Sequence, residues 1–399
     1  MLREAKYPET KIARLVDAIT WGVAIGHKGD RSRQHQFPRN SPTTSDPRVA
    51  ALISEAIAAD VKAGYKKGPF DTPPFESFRV SPLSGVPKGD NGEKIRVIHN
   101  LSHPFGGDSV NAGIPQELYV MQCFNDALAG IRRLGRGTLL SKFDIRSAFK
   151  LVPVVPADRP LLGLVWQGKF YYECVLPFGL RSSGYRWEEF AEALHWLCKH
   201  RLGIHLVVHY VDDFLFVAAP GTADRAHADR AAFEAMCAEL GLPLADEKSL
   251  GPMQELGFLG IEIDTDRMEC RLSAKRIAKL RELLQTWDSS NNRRVSCDEL
   301  MSLVGKLEFA CNVIRPGTAF LRRLRGIMMS MKEGRADGEK NGRRLADGAR
   351  IEVRWWLDVF LTAAGNRRPI IDPPWVDDRS LEIYTDACGT GFGACYGNR

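Results

Sequence analysis

The segment Tyr210-Val211-Asp212-Asp213 lies between two apolar runs, and no other feature constrains this chain as much. Ile204-His205-Leu206-Val207-Val208-His209 precedes it and Phe214-Leu215-Phe216-Val217 follows. Both runs are rich in branched and aromatic residues at strand length, so they read as a buried hairpin turning on two carboxylates. A solvated Asp turn is the simpler alternative, since Asp is a common turn residue. Carboxylates at the tip of an apolar hairpin are costly to desolvate unless positive charge sits against them, and a divalent cation is the partner this pattern points to. Asp144, 68 residues before Asp212, ends a third apolar run, Leu139-Leu140-Ser141-Lys142-Phe143. Neighbouring strands could bring the three together. Nucleotidyl transfer needs negative charge neutralised on the attacking and leaving oxygens, and Mg²⁺ held by two or three Asp suffices for that.

At 399 residues the chain is long enough for two or three domains. No apolar stretch approaches the length of a membrane span, and residues 1–30 lack the apolar core of a signal peptide. Nine cysteines stand singly, which argues for reduced thiols, an intracellular protein and no zinc site. The net charge of +6 is uneven: residues 271–350 hold 18 Lys and Arg against 9 Asp and Glu, leaving −3 elsewhere. That asymmetry suggests a polyanionic partner, or else a solvated basic helical surface.

Alternating strands and helices with antiparallel hairpins predict an α+β fold with helices packed on one side of a sheet. Residues 1–48 read as an N-terminal extension or linker. A helix is expected over Val49–Tyr65, ending at Gly68-Pro69, and short strands over 77–100. Helical spacing runs over Val120–Leu134, and Thr138–Asp144 reads as a strand. A hairpin at 161–175 leads to a helix over Ser183–Lys199, whose apolar face is Trp187, Phe190, Ala191, Leu194 and Leu197. An Ala-rich helix at 222–241 and a hairpin at 250–271 follow. Residues 271–365 are mostly helical, 366–380 read as a linker, and a new strand opens at Leu381. That last unit is expected to be too short to fold alone.

Phe143-Asp144-Ile145-Arg146-Ser147-Ala148-Phe149 resembles the first catalytic motif of reverse transcriptases, and Leu176-Pro177-Phe178-Gly179-Leu180-Arg181 resembles their Pro-x-Gly turn. Tyr210-Val211-Asp212-Asp213 resembles the Tyr-x-Asp-Asp box. Glu247-Lys248-Ser249 is similar to the next, Lys-bearing motif, and Leu256-Gly257-Phe258-Leu259-Gly260 to the primer-gripping hairpin. The motifs occur in the family's order over about residues 50–270. Segments around Lys88 and from Lys94 to Ser102 resemble its finger strands, although Asn100 stands where the family often has Asp. The resemblance implies a right-hand polymerase: fingers and palm over 49–270, then a helical thumb and connection over 271–365.

It further implies that Asp144, Asp212 and Asp213 hold Mg²⁺ or Mn²⁺ and that Lys248 protonates the pyrophosphate leaving group. Lys88, Lys94 and Arg96 would grip the triphosphate. Phe149 would lie under the sugar of a dNTP, and Phe178 and Gly179 would line its pocket. Tyr210 and Gly257 would meet the primer. Arg322, Arg323 and Arg325 would track the phosphates of an RNA or DNA template with its primer, and Arg181 could contact template or substrate. The details look closest to Gypsy and DIRS-like retrotransposons. Leu381–Ala387 with Gly389–Ala394 resembles the opening of a ribonuclease H domain, with Asp386 its first carboxylate, too short here for nuclease activity. The implied activity is that of an RNA-directed DNA polymerase of a retroelement, with no membrane partner. An RNA-dependent RNA polymerase is the less favoured alternative, because Phe149 would exclude a 2′-hydroxyl. A decayed nucleic-acid-binding relative is another, which the three Asp argue against. His205 and His209 are expected as partly buried histidines facing a helix.

Overall fold

The computed structural model describes the backbone of residues 1–31, 38–88, 94–289, 294–336, 342–362, 364–370, 383–388 and 391–396. Its centre is a four-stranded antiparallel sheet in the order Val207–Tyr210, Asp213–Ala218, Leu139–Asp144, Leu250–Met253. The apolar runs of these strands follow from cover on both faces. Phe143, Phe214 and Phe216 point one way, onto Phe233 of the helix Ala223–Glu239. Leu140, Leu215 and Val217 point the other way, into a core shared with the helix Phe124–Leu134 and the C-terminal helices. Period-two alternation therefore puts Asp144 and Asp213 on the same face as Lys142 and Leu140.

The helix Ser183–His200 buries Trp187, Ala191, Leu194 and Leu197 against the sheet, as its spacing predicts. A smaller unit is built from the helix Pro47–Lys62 and the sheet of Lys66–Phe70, Lys169–Glu173 and Gly163–Trp166. The hairpin Leu83–Lys88 with Lys94–His99 lies beside it. The Asp46 side chain caps that helix by accepting from the amides of Arg48 and Val49. Ile53 and Ile57 then pack on Leu83, Leu164 and Trp166.

Two segments expected as extension and linker make contacts with the rest of the fold. Residues 1–31 pack onto it. The helix Glu9–Trp21 buries Ile12, Leu15 and Ala18, and Trp196 Nε1 donates to Ala5 O at 2.8 Å. The Ile25 amide donates to buried Asp158 at 2.8 Å. The start of the expected linker at 366–380 is also structural, because Arg367–Pro369 pairs with Glu269–Leu272 and completes a second four-stranded sheet. Residues 371–382 lie outside the described residues.

Between those two strands run the helices Ala274–Ser289, Cys297–Ala310, Arg322–Ala336 and Asp347–Leu361. Leu300, Leu303, Leu307, Trp356 and Phe360 make their common core. Ser296 and Glu299 form a reciprocal cap where the second of them starts. Near the C-terminus Ile383–Cys388 pairs with Gly391–Tyr396, Asp386 opposite Gly393, and the side chains there lie outside the described residues. No helix among the described residues is long and apolar enough to cross a membrane.

Candidate active site

Asp144 and Asp213 face each other across the sheet in antiparallel register, and Tyr210 pairs with Asp213 on the other side. Asp212 sits in the two-residue turn between those strands. The turn is strained: Val211 has φ +56°, a conformation β-branched residues avoid. Neighbouring groups hold it there. Trp187 Nε1 donates to Val211 O at 2.7 Å, and the Ile145 amide donates to Asp212 O at 2.8 Å. The apolar helix Ser183–His200 and the strand ending at Asp144 thus fix the position of the acidic turn.

Three carboxylates so placed repel one another. Burial, then the charges of Asp213 and Asp144, push the Asp212 carboxyl up to about 6. Burial also raises Asp213, with Lys142 opposing and Asp144 adding to the rise. Lys248 Nζ donates to Asp144 Oδ2 at 2.5 Å, and Lys142 Nζ lies 3.5 Å from Asp213 Oδ1. That Asp213 oxygen is buried and has no hydrogen-bond partner. Among the described residues no three His, Cys, Asp or Glu side chains are gathered tightly enough to enclose an ion. The carboxylates are instead held near one another by backbone register. Hard oxygen donors, one of them orphaned, fit Mg²⁺ or Mn²⁺ that keep several waters.

The acidic turn forms one end of a cleft of about 550 Å³. Its far wall carries Arg96, Phe149 and Phe178. After Asp144 the chain reverses through Ser147, at φ +56°, into the short turn Ala148–Leu151. This brings the half-buried Phe149 ring to 5.3 Å from the Phe178 ring, while the Arg96 guanidinium lies 4.9 Å from the centre of the Phe178 ring. Gly179, at φ +106°, passes so close to the finger strand that a Cβ there would come within 2.0 Å of His99 O. Only glycine fits. Lys88 and Lys94 are paired in the finger hairpin, and their side chains lie outside the described residues.

Other expected site residues are not gathered here. Gly257 is exposed on its hairpin, although the adjoining Leu259 does line the cleft. Arg322 and Arg323 are exposed, the Arg323 guanidinium donating to Gly348 O at 3.3 Å, while the half-buried Arg325 donates to Glu308 at 2.8 Å. An open groove of about 640 Å³ lined by Lys275, Arg276, Lys279 and Lys306 is a further basic feature of this region. Arg181 donates to Ile114 O at 2.8 Å, a structural contact. Of the two histidines, His205 is exposed before the strand begins, while His209 is buried and faces the helix through Glu188 and His195, each at 2.9 Å. Sequence reading missed Lys142, whose place is set only by its parity with Asp144. It also missed a charged cluster at the inner end of the cleft, Asp60, Lys66, Glu173 and Lys150.

Residues 86–263 match the family described as Reverse transcriptase (RNA-dependent DNA polymerase). Polyprotein P3 of Commelina yellow mottle virus is 24% identical over 317 residues, which is 79% of this chain but 14% of that polyprotein. Among solved structures, a foamy viral protease-reverse transcriptase in complex with double-stranded DNA superposes with a TM-score of 0.61 at 17% identity. The match covers 99% of this chain and 65% of that one. The foamy viral protease-reverse transcriptase with an RNA/DNA hybrid gives 0.57 at 19% identity, over 86% and 39% of the two chains. The fold is that of a reverse transcriptase, a polymerase palm with antiparallel sheets and helical regions.

Proposed function

We propose that this chain is the RNA-directed DNA polymerase of a retroelement, extending a primer with dNTPs on an RNA or DNA template and releasing pyrophosphate. The observation that carries this reading is the placement of Asp144 opposite Asp213, with Asp212 at the turn, in a cleft whose far wall is Arg96 over Phe178 beside Phe149. Mg²⁺ or Mn²⁺ held by the three Asp would neutralise the charge that develops on the attacking and leaving oxygens.

The chain's own residues supply the rest. Arg96, with a fixed positive charge, draws the triphosphate to the finger side of the cleft. Phe149 closes against the sugar, where a 2′-hydroxyl pressed into the ring loses packing and finds no hydrogen-bond partner. Phe178 lines the nucleotide pocket, and Gly179 lets its turn lie against His99. The primer 3′-hydroxyl gives its proton to water as its oxygen attacks the α-phosphorus, and the bond from that phosphorus to the pyrophosphate oxygen breaks. Lys248, beside Asp144, would give the leaving group a proton. Tyr210, partly exposed beside the acidic turn, offers a surface for the primer terminus. The sequence motifs favour a Gypsy or DIRS-like parent, and the hairpin at 383–396 is read as the opening of a ribonuclease H-like unit.

The test is extension of a DNA primer on an RNA template with Mg²⁺, comparing dNTPs with ribonucleotides. Cation-dependent extension that prefers dNTPs supports the reading. Template binding with no incorporation under any cation would replace it with that of a binding relative.

A further inference from the structure

The inner end of the same cleft holds a second group of charges that the chemistry above does not use. Lys66 and Glu173 are register partners in neighbouring strands, and both are almost wholly buried. Lys66 Nζ lies 2.6 Å from both Glu173 oxygens and 3.1 Å from Asp60. Lys150 reaches the other Asp60 oxygen from the palm side, its ammonium 5.6 Å from the centre of the Tyr65 ring. Burial works against the Lys66 charge, yet Glu173 and Asp60 hold it above the ordinary lysine value. Burial likewise opposes the Glu173 carboxylate, but Lys66 and the His99 ring outweigh it and hold its pKa low. Two lysines balance two carboxylates.

Lys150 is the neighbour of Phe149 in the four-residue turn Ala148–Leu151. The backbone closes that turn at its two ends, where the Lys150 amide donates to Ser147 O at 2.8 Å and the Val152 amide to Phe149 O at 3.2 Å. A single 3₁₀ turn does not hold its shape alone. The two side chains leave it in different directions, Phe149 to the Phe178 ring and Lys150 to Asp60.

We infer that Lys150 is a positioning residue for sugar selection: its tether to Asp60, backed by Lys66 and Glu173, fixes the turn and thereby holds the Phe149 ring where the sugar of the incoming nucleotide meets it. The inference rests on the polymerase reading for what Phe149 does. A misplacement of about 1 Å in a site is enough to change rates by as much as about a hundredfold, so a loosened turn should register in selectivity.

The test uses Lys150→Met, which keeps the stem and removes the charge, with Lys150→Arg and Asp60→Asn beside it. Two quantities are measured: kcat/KM for a dNTP over that for the matching ribonucleotide, and the Phe149 ring position in a crystal structure of Lys150→Met. The ratio should fall on the order of tenfold in Lys150→Met, mainly through a lower KM for the ribonucleotide. Lys150→Arg should restore it. Combining Lys150→Met with Asp60→Asn should lower it no further than either alone, because both cut one tether. An unchanged ratio, or equal loss on both nucleotides with a lower melting temperature, would reduce Lys150 to a structural role and overturn the inference. A ring still 5.3 Å from Phe178 in the variant would overturn it too. Should the parent chain extend no primer at all, the polymerase reading falls, and the ring position still decides whether the tether exists.

Discussion

The two ends of the cleft bury charge in opposite ways. At the inner end Lys66, Lys150, Asp60 and Glu173 neutralise one another through short contacts. At the outer end Asp144, Asp212 and Asp213 set three carboxylates against the ammonium groups of Lys248 and a more distant Lys142, and the Asp213 oxygen facing Lys142 is buried without a hydrogen bond. A balanced buried cluster serves structure, since removing one member strands the others. An unbalanced one costs stability and persists where a ligand or a reaction needs it. The same chemical groups in one cavity thus have different roles because their charge is compensated in one place and not in the other.

Exchanging amides for carboxylates tests this contrast at its widest. Asp144→Asn or Asp213→Asn should lower primer extension by roughly a hundredfold or more, a loss comparable with removal of a principal electrostatic group from an active site. Single-nucleotide incorporation on an RNA template measures it. Neither change should cost much in melting temperature, and comparable losses of stability at both ends would erase the distinction.

Glu173→Gln should behave in the reverse sense. It leaves Lys66 buried with a weakened partner, at a cost of about 3–5 kcal/mol by denaturant unfolding. The pH dependence carries the same sign. The Glu173 carboxyl is held low, so its stabilisation is full above the ordinary glutamate range and is lost as pH falls through the lower folded value. An acid unfolding midpoint that the substitution leaves unmoved would contradict this.

Asp212 titrates the other way. Its carboxyl is raised to about 6 in the fold, so its contribution to stability is full below the ordinary aspartate value and is lost as pH rises through about 6. Asp212→Asn should therefore melt above the parent at pH 7, with the difference closing near pH 4. Extension by the parent should decline as pH drops through about 6, and saturating Mg²⁺ should move that midpoint down because the cation favours the ionised form. A pH-independent melting difference would remove the repulsion argument.

The smallest expected effect lies in the C-terminal helices, where the same rule separates Lys279 and Lys306 at the basic groove from Arg325, which is paired with Glu308. Neutralising the two lysines should flatten the logarithmic salt dependence of duplex binding by roughly 0.9 per lost phosphate contact. Neutralising Arg325 should leave that slope nearly unchanged while lowering stability slightly. A larger change of slope from Arg325 would restore it as a phosphate contact.

Chain order limited what the sequence could reveal. The palm strands and the helix at 183–200 were legible because alternation and helical spacing are local signals. The acidic residues were legible because they end apolar runs. The inner cluster was not: Asp60, Lys66, Lys150 and Glu173 come from four separate elements, and only the register of Lys66 with Glu173 and the reversal at Ser147 bring them together. Lone charged residues carry no spacing signal. The N-terminal helix had a readable one, Ile12, Leu15 and Ala18 at three-residue steps, which was passed over for want of a motif. Arg325 shows the converse: density of charge along the chain says nothing about an acidic partner such as Glu308 folded beside it.

The most direct test is the thermal shift produced by Mn²⁺ in the parent chain, in Asp213→Asn and in Glu173→Gln, each measured against its own cation-free melting temperature. A cation that binds the folded site stabilises it in proportion to the logarithm of its concentration above Kd. The parent and Glu173→Gln should rise together as Mn²⁺ is added, and Asp213→Asn should stay flat. An equal rise in Asp213→Asn would mean that the outer carboxylates are not where the cation binds.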